Sequence, residues 1–184
     1  MSFTQPTIIE RYLEHIICYH LTQPRYKTYV KYMDIQGDET IMDFGCGGGA
    51  SSKPIHNKLT SKGTLILLDT SKRWITKAQQ RFKHKTNIIF INKDITQAPI
   101  NNETIDIITM TYVIHDIPEQ RHKDLIQNLT EKLKPKGRFI IREPTKPTHG
   151  IQITKIKDLM RKNNLNLIKE IQKKYMYFAI YEKK

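Results

Sequence analysis

The stretch Thr40-Ile41-Met42-Asp43-Phe44-Gly45-Cys46-Gly47-Gly48-Gly49-Ala50 constrains this chain more than any other. An apolar run of strand length leads directly into glycines, and a helical pattern follows. Glycines permit a sharp turn and let a ligand approach backbone that carries no Cβ. A helix after such a turn presents free N–H groups and the positive end of its dipole, which suits an anion. Gly45, Gly47 and Ala50 also fit Gly-x-Gly-x-x-Gly/Ala, a dinucleotide pattern that is weak by itself. Asp43 argues against a pyrophosphate ligand. A carboxylate at the mouth of the loop would repel phosphate and would suit an ammonium or sulfonium charge. The plainer alternative is that Asp43 caps the loop through its own backbone.

Past Thr40, short apolar runs alternate with helical patterns. Candidate strands are Thr40–Phe44, Thr64–Leu68, Asn87–Ile91, Ile105–Met110 and Arg138–Arg142, with helices predicted over Ser51–Leu59, Ser71–Phe82 and Glu119–Leu133. Leu65–Leu68 and Ile105–Ile108 are nearly continuous in apolar residues, as expected for parallel strands covered on both faces. Such alternation requires right-handed crossovers and gives a doubly wound sheet. After a helix near Ile151–Lys162, the runs Leu165–Ile171 and Tyr175–Tyr181 lie too close for anything but antiparallel pairing. The expected fold class is α/β: a doubly wound, mostly parallel seven-stranded sheet with a C-terminal antiparallel hairpin. Ahead of the sheet, Ile8, Ile9, Tyr12, Leu13, Ile16 and Ile17 recur at helical spacing. Pro24 suits the first turn of a second helix capped by Thr22. A single domain over 1–184 is expected, with 1–35 a helical lid, 40–143 the cofactor-binding half and 144–184 the closing helix and hairpin.

Asp43, Gly45, Gly47 and Gly49 match the signature Asp/Glu-x-Gly-x-Gly-x-Gly at every position, and here the sequence resembles the class I S-adenosylmethionine-dependent methyltransferases. The resemblance runs from about Thr40 to Lys184 and rests on an ordered set of motifs. It implies a Rossmann-like methyltransferase fold and S-adenosyl-L-methionine as cofactor. Asp69, at the end of the second strand with Thr70 beside it, is then the acceptor for both ribose hydroxyls. The alternative for Asp69 is an N-cap ahead of Ser71, although Ser71 can cap that helix itself. By the same resemblance Asp94 accepts from the adenine amino group and the Ile95 N–H meets a ring nitrogen, though an Asp after a strand is often a turn residue. Leu133–Phe139 resembles the family's turn into its fifth strand, with Lys136 where Gly is usual.

Methyl transfer is an in-line displacement, and aligning donor and acceptor supplies roughly 7–11 kcal/mol of the barrier. A base matters where the acceptor is a protonated hydroxyl or a carbon acid. His115, Tyr112 and Glu143 are the catalytic candidates at the strand ends, bordered by Thr111, Asp116 and the loop residue His149. Each has a structural alternative: Glu143 pairing with Arg142 or a lysine, His149 capping the last helix, His115 bonding locally. Tyr12, Tyr19 and His20 either line a lid or pack a core. No Asn/Asp-Pro-Pro-Tyr/Phe follows the fourth strand, which argues against methylation of exocyclic base amines. No Cys lies near the fourth or fifth strand to serve a pyrimidine C5 mechanism. A small-molecule acceptor is therefore expected, and analogy extends this to quinone-like and lipid head-group types. An RNA methyltransferase and an NAD-dependent oxidoreductase are the alternatives.

The net charge of +13 would ordinarily indicate nucleic acid. Yet 23 Lys against 8 Arg accompanies 28 Ile against 2 Val, the mark of a genome-wide bias. Selection for phosphate contacts would favour Arg, and the basic residues are scattered, so a solvated basic surface is expected and a nucleic-acid partner is not favoured. Cys18 and Cys46 are too few for a disulfide framework and lack zinc spacing, from which a reducing, cytoplasmic setting and no metal site are expected. No apolar stretch is long enough for a transmembrane helix. Glu10 and Arg11 inside the first apolar region speak against a secretion signal.

Overall fold

The computed structural model describes residues 23–184. The helix expected over Ile8–Ile17 lies outside the described residues, as do Cys18, Tyr19, His20 and the expected cap Thr22. Helix α1 (Gln23–Val30) precedes strand β1 (Thr40–Phe44), α2 (Ser52–His56), β2 (Thr64–Leu68), α3 (Lys72–Arg81) and β3 (Ile88–Ile91). A 3-10 turn over Ile95–Gln97 then leads to β4 (Ile105–Thr111), α4 (His122–Lys132) and β5 (Leu133–Lys146). The chain closes with β6 (His149–Gly150), α5 (Ile153–Lys162), β7 (Leu165–Lys173) and β8 (Met176–Lys183).

The strands follow the order β3-β2-β1-β4-β5-β8-β7, parallel from β3 to β5, with β8 antiparallel between β5 and β7. This is the expected α/β sheet, with seven strands on its path. An eighth, the two-residue β6, folds back on Thr145 and Lys146 of β5. Strand alternation sorts the apolar runs into two cores. Met42, Phe44, Ile66, Leu68, Ile108, Met110, Phe139 and Ile141 pack with Leu125, Ile126 and Leu129 of α4 and Ile156 and Met160 of α5. Ile41, Leu65, Leu67, Ile107, Ile140 and Phe178 face the other way, against Tyr29 and Val30 of α1, Ile55 of α2 and Ile75 and Ala78 of α3. Each central strand is thus apolar on both faces because helices cover both, and truncating a fully buried residue such as Leu67 is expected to cost about 2–5 kcal/mol.

Two helices are shorter than their patterns suggest. Only Ser52–His56 of the stretch Ser51–Leu59 is helical, so the dipole expected behind the glycine loop is that of little more than one turn. Glu119–Leu133 divides into a 3-10 turn over Glu119–Arg121, α4, and Leu133, which opens β5 instead of ending the helix. Lys136 stands at φ 63°, a left-handed conformation that explains why glycine suits that turn.

Candidate active site

The chain leaves β1 for β2 and β3 on one side and returns to β4 on the other, so the strand order reverses between β1 and β4. Open α/β sheets bind ligands in the crevice outside the carboxyl ends at such a point. A cavity of about 520 Å³ opens there, walled by the glycine loop, Asp69 and Thr70 after β2, the exposed side of α3, Asp94, and the segment from Thr111 to Ile117. Its size is that of a small-molecule site.

The glycine loop divides its labour. Gly45, at φ 67°, lies against the Val113 side chain, 2.6 Å from where its Cβ would be. Gly47, at φ 51°, has no atom of the described residues within 4 Å of that position, so its bare Cα forms part of the cavity wall. Gly49, expected as a cofactor contact, does not reach the wall. Its Cα faces inward and Phe82 closes over it at 2.7 Å from the would-be Cβ.

Asp43 also departs from expectation. It is not at the mouth of the loop: it is 1% exposed and accepts hydrogen bonds from Ser51 Oγ at 3.0 Å, Ser52 Oγ at 2.5 Å and Thr109 Oγ1 at 2.9 Å. Alternation along β1 turns position 43 toward α2, and the two serines opening that region cover it. Burial pushes its pKa up, against the three hydroxyl donors that favour the charged form, and its oxygens are turned to those hydroxyls and not to the cavity. The same burial, with Asp43 and Asp69 nearby, raises the Cys46 thiol and leaves it inert.

Asp69 does face the cavity. Its Oδ2 accepts the Gly47 N–H at 2.9 Å and its Oδ1 the Ser71 N–H at 2.8 Å. The carboxylate therefore ties the glycine loop to the start of α3, and Ser71 makes no side-chain cap of its own. A carboxylate has about four lone-pair sites, so two remain for hydroxyl donors. Thr70 and Thr111 also line the cavity. Asp94 is on the wall but already engaged: Oδ1 accepts from Thr96, and Oδ2 from Arg121 at 2.8 Å. The Thr96 N–H, then Arg121, hold its carboxyl below the ordinary range. The Ile95 side chain is buried beside Ile91 and Ile100, because the 3-10 turn points it into the core, whereas the contact expected of this residue is through its backbone N–H, next to Asp94 on the wall.

Of the three catalytic candidates, the structure puts only Tyr112 on the cavity wall, at φ 58° and 37% exposed. His115 and Glu143 form a pair behind it. Glu143 is fully buried; Oε1 accepts the N–H groups of Val113 and Ile114 at 2.8 and 3.0 Å, and Oε2 bonds His115 Nδ1 at 2.6 Å. Alternation along β5 sends Glu143 under the turn after β4 and away from the cavity. Burial opposes charge on His115, yet the hydrogen bond and charge of Glu143, with Asp116 adding, outweigh it and raise the imidazole pKa. His115, Asp116 and His149 bring one potential ligand atom each to within 4.8 Å of one another. That span is wider than the about 3.4 Å between ligands of a tetrahedral zinc with bonds of about 2.0–2.1 Å, and no metal site is assigned.

Several wall residues belong to no motif of the sequence. Trp74, Lys77 and Arg81 form one stripe of α3, with Lys77 Nζ 4.3 Å from the Trp74 ring centre and Arg81 bonding the Gly48 carbonyl. Their spacing of three and four residues after Asp69 was the available signal. Tyr26 and Arg121 also reach the cavity, with no local pattern to announce them.

Known proteins resemble this arrangement in both sequence and shape. The family described as "Methyltransferase domain" matches residues 35–183. The demethylmenaquinone methyltransferase of Shouchella clausii is 23% identical over 124 residues, which is 66% of this chain and 52% of that protein. That of Lactococcus lactis is 28% identical over 126 residues, 67% of this chain and 49% of that protein. The chain thus spans about half the length of the curated relatives it matches. Among solved structures, a SAM dependent methyltransferase from Aquifex aeolicus superposes with a TM-score of 0.78 at 14% identity, covering 92% of each chain. One from Mesorhizobium loti gives 0.70 at 12% identity, over 85% of this chain and 96% of that one. These likenesses show a shared fold. The family match takes in the whole sheet, from the loop before β1 to the last strand, and on that ground the chain belongs to the methyltransferase domain family.

Proposed function

We propose that this chain transfers a methyl group from S-adenosylmethionine to a small-molecule acceptor with a quinone-like ring. The observation that carries the reading is Asp69, held at the cavity wall by the Gly47 and Ser71 N–H groups with lone pairs to spare for a ribose diol. The bare Cα of Gly47 on the wall leaves room for the nucleoside to approach the backbone. When bound, the cofactor supplies an electrophilic methyl group on a sulfonium. Gly45, Gly47, Asp69, Thr70 and Thr111 hold it, and Asp94 reaches the adenine edge once Arg121 releases it. Tyr112 borders the place where donor and acceptor meet and shields it from water. His115 and Glu143 act as positioning residues that hold the segment from Val113 to Asp116 in place.

The quinone-like acceptor is supported by the names of the Shouchella and Lactococcus relatives. A cytoplasmic setting belongs to the same proposal and rests on the cysteine usage. Family membership favours methyl transfer over the nicotinamide chemistry that the glycine pattern alone allows. Among the described residues no helix is long and apolar enough to cross a membrane. Calorimetric titration with S-adenosylhomocysteine and with NAD tests the cofactor, and transfer of a labelled methyl group to a demethylated quinol tests the acceptor. Binding of NAD without S-adenosylhomocysteine would sink the reading.

A further inference from the structure

We propose that Arg142 recognises the acceptor, and that the acceptor presents an anionic oxygen carried on a planar ring. This rests on the methyl-transfer reading and takes it one step further, to the chemical class of the second substrate.

Arg142 stands near the carboxyl end of β5, in register with Thr111 of β4 and Phe178 of β8. Its side chain turns to the α1 side of the sheet and is 5% exposed. Three rings surround the guanidinium, with centres 4.1 Å (Tyr29), 4.7 Å (Tyr112) and 5.3 Å (Tyr26) from its central carbon. Nε and Nη1 are buried and have no hydrogen-bond partner among the described residues. Among the described residues no carboxylate pairs with this cation. Glu143, next in sequence, faces the other side and spends both oxygens on Val113, Ile114 and His115.

A buried guanidinium without an anion is costly, because desolvation of the charge is repaid only by well-formed partners. Stacking on tyrosine faces offsets part of that cost and satisfies none of the five N–H donors. Native interiors rarely leave such donors orphaned without a functional reason. The position supplies one. Tyr26, Ser51 and Thr111 line both the cofactor cavity and a small void against Arg142. Tyr112 forms part of the cavity wall and of the cage, in a left-handed conformation that is strained for an aromatic residue. A ligand lodged in that cage lies against the cofactor cavity. The void holds about 10 Å³, so occupancy requires the half-exposed Tyr112 ring to swing outward. An anionic oxygen supplies the missing charge through charge-assisted hydrogen bonds, and a planar ring matches the flat faces of the tyrosines.

The test is calorimetry on the full chain loaded with S-adenosylhomocysteine, titrated with benzoate, 4-nitrophenolate and neutral benzamide. At least one anion is expected to bind more tightly than benzamide, and Arg142→Met to weaken that anion by about 10-fold or more. Preference for benzoate assigns a carboxylate, and preference for nitrophenolate a phenolate. Equal binding by wild type and Arg142→Met, or no preference for either anion over benzamide, overturns the proposal. Thermal unfolding of the unliganded proteins supplies a second readout. Replacing an uncompensated buried cation with an apolar chain of similar length is expected to hold or raise the melting temperature. A lowered melting temperature would make Arg142 a structural member of the cage and overturn the proposal. A chain that takes up S-adenosylhomocysteine but ignores the anions defeats this inference alone. One that takes up no S-adenosylhomocysteine defeats the methyl-transfer reading and this inference with it.

Discussion

Arg142 and Glu143 are consecutive residues of β5, both buried, at 5% and 0% exposure, on opposite faces of one strand. Alternation separates their charges into different environments: Arg142 among tyrosines with nitrogens unpaired within the described residues, Glu143 with both oxygens in use. Glu143 therefore organises the turn after β4. Glu143→Gln keeps the shape, and its amide oxygen can still accept the Val113 and Ile114 N–H groups, but its NH2 can meet His115 Nδ1 only by donating to it, so the carboxylate that favours the protonated imidazole is lost. The expected cost is on the order of 3 kcal/mol, read as a lower urea midpoint with unchanged m-value. A loss within experimental error would show the pair to be dispensable.

The same pair makes stability depend on pH. The groups facing His115 are Glu143, Asp116 and His149. Its folded pKa lies above the ordinary value of 6.5, so its contribution is fully present below 6.5 and is lost as pH rises through the folded value. The difference in melting temperature between wild type and His115→Gln is therefore expected to shrink as pH increases from about 6 to about 9. A difference that stays flat, or that grows with pH, would mean that Glu143 does not favour the protonated imidazole in the folded chain.

Two glycines in one loop are expected to fail in different ways. Gly45→Ala meets Val113 at 2.6 Å and a left-handed backbone, so the turn carrying Tyr112 must shift and stability falls by about 1–3 kcal/mol. Gly47→Ala meets none of the described residues, so its expected stability cost is the backbone strain of about 1–2 kcal/mol. Its methyl group, however, projects where the ligand approaches. Chemical denaturation and S-adenosylhomocysteine titration together separate the two. Gly47→Ala binding as wild type does would remove the close approach of nucleoside to backbone.

Much of this arrangement is legible in local sequence because local patterns control it. Leu65–Leu68 is apolar at every position since both faces are covered, and the short gap before Tyr175 forces antiparallel pairing. The glycine loop and Asp69 are readable because backbone conformation and strand-end position determine their roles. What stays hidden depends on contacts distant in the chain. That Asp43 is covered follows from Ser51, Ser52 and Thr109 converging on it, and the last is sixty-six positions away. The burial of Arg142 needs α1 on one side and β8 beside it. Nothing within ten residues of Arg142 distinguishes it from a solvated strand-end arginine.

Asp69 has two duties, and one substitution separates them. Asp69→Ala removes the partners of the Gly47 and Ser71 N–H groups as well as the proposed ribose acceptor. Cofactor affinity is expected to fall by about 1–3 kcal/mol, roughly 10- to 100-fold. Asp69→Asn retains one acceptor oxygen and is expected to fall between the two. Wild-type affinity in both variants would show that the ribose lies elsewhere.

Lys136 offers a gain in place of a loss. It occupies φ 63° in the turn between Leu133 and Arg138, and its ion pair among the described residues is an exposed one with Glu182, with nitrogen and oxygen 3.6 Å apart. Exposed pairs of this length are worth about 0–1 kcal/mol. A left-handed conformation costs a Cβ-bearing residue about 1–2 kcal/mol that glycine avoids, while glycine returns part of this through a freer unfolded chain. The balance favours glycine by about 0.5 kcal/mol, so Lys136→Gly is expected to raise the melting temperature slightly without touching cofactor affinity. A lowered midpoint would mean that the Lys136 side chain contributes more than its exposed geometry allows. Because the turn is far from the cavity wall, a change in S-adenosylhomocysteine binding would instead reveal that β5 transmits strain along its length to Arg142 and Glu143.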